Sequence, residues 1–161
     1  MASHLAFLSL RVVYDLTLAL ACGYAIVRGG RDERLGAAIM IVGSVLTVVA
    51  EYQGGKGWWN TRTGVIATDV AVFVAFLVLT LRSNRFWPIW VSALQLIAVA
   101  THLAIAIRPF DLRPETIPIV RPLLQAYAIA LGFWAYPMLA LIVLGAHRQH
   151  RRANPRSRSP G

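Results

Sequence analysis

The sequence predicts an all-α fold, a polytopic membrane helix bundle with about five transmembrane helices. Of its 161 residues, 57% are hydrophobic and only 14% are charged, whereas a soluble domain carries roughly 25% charged residues. The apolar residues fall into five stretches, each near the roughly 20 residues that a bilayer-spanning helix needs. Such segments must be helical, because lipid offers no hydrogen-bond partner to an open backbone.

Short polar connections separate the five predicted spans, which cover residues 5–27, 35–50, 64–81, 86–107 and about 119–146. The first span contains Arg11 and Asp15, so the bundle has four spans if this segment does not cross. The second span is short and is flanked by Arg34 and Glu51. Together the spans form one domain, residues 1–146. A basic tail at residues 147–161 follows, and we expect it to be disordered beyond its first turn.

Basic residues divide unequally between the two ends of the predicted bundle. The richer end receives Arg28, Arg31, Arg34, Arg82, Arg85, Arg148, Arg151, Arg152, Arg156 and Arg158. The other end receives Lys56, Arg62, Arg108, Arg113 and Arg121. Because cytoplasmic loops carry an excess of Lys and Arg, the richer end is predicted to be cytoplasmic. The N-terminus is then predicted to lie outside and the C-terminus in the cytoplasm.

Two further features are predicted to lie at the cytoplasmic surface. Trp87 and Trp90 stand at the start of the fourth span, and tryptophan is enriched where the membrane meets water. Arg148, Arg151 and Arg152 follow the fifth span, and basic residues near anionic headgroups gain about 1 kcal/mol each. We therefore expect the tail to bind anionic lipids, and we expect no nucleic acid as a partner.

Small residues at regular spacing predict helix-packing surfaces. Gly36, Gly43 and Ala50 recur every seven residues in the second span, and such a face lets another helix approach closely. The fifth span has a similar set in Ala128, Gly132 and Ala135. The partner helix belongs either to this chain or to another one, since the spacing alone does not distinguish the two.

Nearly all intramembrane polar residues are predicted to lie in the outer half of the bilayer. With a rise of 1.5 Å per residue, Asp69 lies roughly 9 Å and His102 about 8 Å from the outer ends of consecutive, antiparallel spans, so the two side chains can meet. Asp15 follows Arg11 by four residues and shares its helical face. Ionisable groups inside a membrane are costly and often functional. The alternative is that Arg11–Asp15 and Asp69–His102 are internal pairs that neutralise each other and set the register of the helices. The ligand-site or proton-site candidates are Arg11, Asp15, Glu51, Asp69, Gln95, His102 and Trp134.

Known catalytic and metal-binding motifs do not occur in this sequence. It contains no His-Glu-x-x-His zinc motif and no Gly-x-Ser-x-Gly nucleophile elbow. His147 and His150 could share a helix face, but two histidines without a further ligand make a poor metal site. Cys22 is the single cysteine, and we expect it to pack as a small hydrophobic residue. The sequence names no cofactor and favours a non-catalytic role.

The second half of the chain carries the run LRSNRFWPIW at residues 81–90, followed by Gln95, Thr101-His102-Leu103, Ala126-Tyr127 and FWAYP at residues 133–137. These residues resemble those of small uncharacterised multi-pass proteins of alphaproteobacteria. The resemblance implies a location in the bacterial inner membrane. It implies no activity and assigns no functional residue.

Two functions remain open from the sequence. The first is an accessory or assembly subunit, packed on a larger membrane complex or a homo-oligomer through its small-residue faces. The second is a stand-alone protein that handles a ligand or protons, in transport or in quinone or lipid binding, through the outer polar residues. The short connections leave no room for a soluble catalytic domain, and the sequence therefore favours the first function.

Overall fold

The computed structural model describes the backbone of residues 2–53, 61–107 and 117–153, and the side chains of residues 11–50, 52, 63–104 and 133–152. These ranges contain five helices and no strand, which confirms the predicted all-α fold. The helices are α1 (Ala2–Arg28), α2 (Arg31–Gln53), α3 (Thr61–Arg82), α4 (Trp87–Ile107) and α5 (Ile117–Ala153). Helix α5 thus continues past the predicted domain boundary at residue 146, and residues 154–161 of the tail lie outside the described part.

The helices form a ring in which each packs on its sequence neighbours and α5 returns to pack on α1. Helix α2 also contacts α5 across the ring. Consecutive helices are antiparallel, so α1 and α5 run in the same direction, and Tyr14 meets Tyr136 while Tyr24 meets His147. We call the end of the bundle that carries Arg28 and Arg82 the arginine end.

Three helical segments within the described residues are long and apolar enough to cross a membrane. They are Arg31–Ala50, Thr63–Arg82 and Trp87–Ala104. Large apolar side chains on these helices, such as Val45, Val74 and Leu96, face outward, and so much exposed apolar surface suits lipid better than water. The chain is therefore a helical membrane protein. Crossing by α1 and α5 stays a prediction, as does the orientation of the bundle.

The most tightly buried side chains lie toward the arginine end. Phe76, Val91, Leu139 and Ile142 are fully enclosed there, and Cys22 packs among them. The burial of these side chains against one another fixes the relative positions of the helices at this end.

The small-residue face of α2 packs inside the chain. A methyl group added at Gly36 would lie 2.5 Å from the ring of Trp87 on α4, and one added at Gly43 would lie 2.6 Å from Val72 on α3. Farther along α2, the methyl group of Ala50 lies 3.0 Å from the corresponding position at Gly64. The partner helices of this face therefore belong to the same chain. In α5, Ala135 lines the cavity described below, and the surroundings of Ala128 and Gly132 lie outside the described side chains.

Candidate functional site

A cavity of about 430 Å³ lies between the helices in the half of the bundle that faces away from the arginine end. All five helices contribute to its wall. Its apolar lining includes Met40, Val72 and Met138. The remaining polar and aromatic lining residues are Arg11, Tyr14, Asp15, Ser44, Thr47, Asp69, Gln95, His102 and Trp134.

The Asp69 carboxylate on α3 contacts two polar side chains of α4. Its Oδ2 lies 2.7 Å from Nε2 of His102, and its Oδ1 accepts a hydrogen bond of 3.2 Å from Nε2 of Gln95. The same amide nitrogen also donates to the backbone carbonyl of Asp69 at 3.3 Å. Gln95 and His102 are seven residues apart, or two helical turns, so one face of α4 presents both to Asp69. The three residues fix the orientation of the carboxylate.

The burial of these three residues differs. Gln95 and His102 are buried, whereas the Asp69 side chain keeps 24% of its surface exposed. The carboxylate is therefore anchored from the α4 side while part of it remains accessible from the cavity. This arrangement can present a negative charge or a proton acceptor to a bound molecule.

Tyr14, which lines the cavity, belongs to an aromatic pair. The rings of Tyr14 on α1 and Tyr136 on α5 meet edge to face, with centroids 6.1 Å apart and an interplanar angle of 87°. The Tyr14 hydroxyl shares a 2.9 Å hydrogen bond with Ser44 on α2. Trp134 lies two residues before Tyr136 and also lines the cavity. Aromatic rings and thioethers thus surround the space beside Asp69.

The structure places most of the candidate residues predicted from the sequence around this cavity. Arg11, Asp15, Asp69, Gln95, His102 and Trp134 line the cavity. The side chain of Glu51 lies outside the described part of the chain. Tyr14, Ser44 and Thr47 line the same space but were not predicted as site residues. Their positions in the sequence could have indicated this place. Ser44 and Thr47 lie beside the glycine face of α2, and Tyr14 directly precedes the candidate Asp15.

A second polar cluster lies at the arginine end, and the sequence analysis missed it. Glu33, only 1% exposed, accepts hydrogen bonds from the indole N–H of Trp87 at 3.2 Å and from the backbone N–H of Gly30 at 2.9 Å. The latter contact is half of a capping box, in which a glutamate in the first helical turn reaches back to the residue that caps the helix. Trp87 itself is wedged between Gly36 on α2 and Gly145 on α5.

The two tryptophans at the start of α4 have different surroundings, and the position of Trp87 at the membrane interface stays a prediction. Trp87 does begin α4, but its ring points into the bundle and is 8% exposed. The adjacent Trp90 is 65% exposed, as a lipid-facing ring should be. The buried carboxylate of Glu33 provides the reason, because it offers the indole N–H a partner inside the bundle.

Further hydrogen bonds fasten the helix ends around this cluster. Asp32 accepts a hydrogen bond of 2.6 Å from the Ser83 hydroxyl, which joins α2 to the α3–α4 turn. Arg85 donates to the side-chain carbonyl of Gln149, which joins that turn to α5. His150 lies 2.7 Å from the Arg28 guanidinium on α1. These contacts explain why α5 stays helical beyond residue 146.

The basic residues proposed to anchor the tail are exposed at this end of the bundle. Arg148, Arg151 and Arg152 have open side chains, as do Arg31 and Arg34 nearby in the fold. Their binding to anionic lipids remains a prediction. Among the described side chains, no group of three or more His, Cys, Asp or Glu residues is placed to hold a metal ion.

The fold and the site define this chain as a small helical membrane protein with a polar cavity inside its bundle. Comparison with protein-family models, with curated proteins and with solved structures gives no match for the chain. The functional argument therefore rests on the geometry of the cavity.

Proposed function

We propose that this protein binds a small, partly apolar molecule in the cavity, with the Asp69–His102 pair as the main polar contact. The observation that carries the proposal is that this ionisable pair, joined at 2.7 Å, borders a space of about 430 Å³. Ionisable groups within a membrane are expensive and usually serve a function. A pair that served only to hold α3 on α4 would not need to border an open space.

The lining suits an amphipathic molecule. Met40 and Met138 are flexible and polarisable, and they adapt to ligands of different shape. Trp134 supplies a flat apolar surface, and Asp69 with His102 supplies a few fixed polar groups. Ligand sites commonly combine a mostly apolar wall with a small number of placed polar groups. An imidazole beside a carboxylate can also exchange a proton with a bound molecule.

The alternative function, an accessory or assembly subunit, receives no support from the described small-residue face of α2. Gly36 and Gly43 pack against Trp87 and Val72 of this chain, so they are not available to a partner. The accessory function remains a prediction of the sequence, together with the bacterial inner membrane as its location and the outward-facing N-terminus. The cavity is the reason for placing ligand binding first.

Native mass spectrometry of protein gently extracted from its own membranes tests the proposal. We expect a small molecule bound at near-stoichiometric occupancy in the wild type, and about tenfold lower occupancy in Asp69→Asn, because removing one charge of a buried polar contact commonly costs that much affinity or more. Asp32→Asn is the matched control, since it makes the same change at the arginine end.

Two results would contradict this function. One is equal occupancy of the small molecule in Asp69→Asn and the wild type. The other is a wild type that carries no small molecule but co-purifies with a second protein in a fixed ratio, which would favour the accessory function.

A further inference from the structure

We infer that the molecule bound in the cavity is an organic cation with an aromatic or apolar body, and that it competes with protons for Asp69. This inference rests on the proposed ligand-binding function and adds the charge of the ligand. It depends on three features of the cavity, namely its charged residues, the access to the carboxylate and the aromatic wall.

The charged residues of the wall favour a positive ligand. Its described lining contains two carboxylates, Asp15 and Asp69, and one guanidinium, Arg11. Among the described lining residues, carboxylates therefore outnumber guanidinium groups by one. In the low-dielectric interior of a membrane protein such an excess attracts a cation far more strongly than it would in water.

The geometry of Asp69 leaves it able to bind one more group. One of its oxygens accepts a hydrogen bond from Gln95 and the other lies 2.7 Å from Nε2 of His102, and a carboxylate oxygen can accept two hydrogen bonds. The side chain keeps 24% of its surface exposed. A positively charged head can therefore approach the carboxylate from the cavity without displacing its α4 partners.

The aromatic wall suits the same class of ligand. Trp134 and Tyr14 line the cavity together with Asp69. The face of an aromatic ring attracts a cation, tryptophan most strongly, and this attraction grows when water is excluded. Met40 and Met138 provide an apolar surface for the body of the ligand. A quinone or another neutral molecule would use the rings but would gain nothing from the excess carboxylate.

Protons oppose the binding of such a cation. The described groups that share the cavity with Asp69 are His102 on α4, Arg11, Tyr14 and Asp15 on α1, and the uncharged Ser44 and Thr47 on α2. When the pH falls, protonation of Asp69 removes the negative charge, and protonation of His102 supplies a competing positive charge at 2.7 Å. Both events weaken cation binding, so affinity decreases as the pH falls.

Equilibrium binding of benzyltrimethylammonium to the purified full chain in detergent tests this inference. The probe carries a permanent charge and no acidic proton, so any pH dependence of its binding comes from the protein. Benzyl alcohol and benzenesulfonate serve as the neutral and negative comparison compounds. We expect only the cation to bind, and to bind more weakly at about pH 6 than at about pH 8, because protons compete with it for the carboxylate.

Variants separate the contributions of the two residues. Asp69→Asn should reduce the affinity for the cation about tenfold or more at both pH values, because the counter-charge is gone. His102→Gln should bind the cation near pH 8 and lose part of the pH dependence. Asp32→Asn should match the wild type, and thermal unfolding should show that each variant is folded.

The inference is overturned if benzyl alcohol or benzenesulfonate binds as well as the cation, or if the affinity for the cation does not change with pH. In either case the cavity still binds small molecules, and the proposed function stands. Failure of all three probes also overturns the inference, and the co-purification experiment then decides the proposed function separately.

Discussion

The two halves of the bundle each contain a carboxylate with two described polar partners, yet the surroundings of the two carboxylates are opposite. Glu33 at the arginine end is 1% exposed and accepts a hydrogen bond from the Trp87 indole. The Trp87 ring is itself packed between Gly36 and Gly145. Asp69 is 24% exposed and borders about 430 Å³ of open space. A buried carboxylate can therefore be part of the packing or part of a site, and the space around it distinguishes the two.

The largest effect on the free energy of unfolding should come from removing the Trp87 side chain, which fills the arginine end. Trp87→Ala leaves a void between α2, α4 and α5 and deprives Glu33 of a donor, so we expect a loss of about 3–5 kcal/mol in the free energy of unfolding. Unfolding of detergent-solubilised protein by increasing SDS measures it. Trp90→Ala is the control, since that ring is exposed. Equal losses in the two variants would contradict a packed arginine end.

A smaller decrease in the free energy of unfolding should follow from adding a methyl group next to Trp87. In Gly36→Ala the new methyl group would lie 2.5 Å from the Trp87 ring, and overpacking of this kind costs about 1–3 kcal/mol. The same unfolding titration compares it with Gly23→Ala, where no atom lies within 4 Å of the new methyl group. If Gly36→Ala had the same free energy of unfolding as the wild type, α2 and α4 would have room to separate.

The smallest effect on stability should come from the cavity half. Asp69→Asn keeps the shape of the side chain and an acceptor oxygen, and interhelical polar contacts in membranes average only about 0.6 kcal/mol. We therefore expect its unfolding midpoint to stay close to that of the wild type, although its affinity for the ligand falls about tenfold. A loss as large as that of Trp87→Ala would instead assign Asp69 to the packing and remove the contrast between the halves.

The sequence allowed the cavity half to be predicted better than the arginine end. Asp69 and His102 could be placed together because helical rise and antiparallel order determine depth, and charged residues inside apolar spans are conspicuous. Glu33 was missed because it precedes the second apolar stretch, although a glutamate three residues after Gly30 is a recognisable capping signal. The burial of Trp87 and the volume of the cavity depend on side chains from several helices at once, which no local pattern reveals.

The return of α5 to α1 has a consequence for biosynthesis. Gly145, which supplies one of the two surfaces that hold Trp87, and Trp134, which lines the cavity, both belong to the fifth helix. Protein chains are synthesised from the N-terminus to the C-terminus. Helices α1 to α4 therefore leave the ribosome before these contacts can form. Until α5 arrives, the indole of Trp87 lacks one wall and the Asp69 carboxylate faces a gap in the ring. The nascent protein therefore passes through a stage in which the polar groove beside Asp69 is open on the side that α5 later covers.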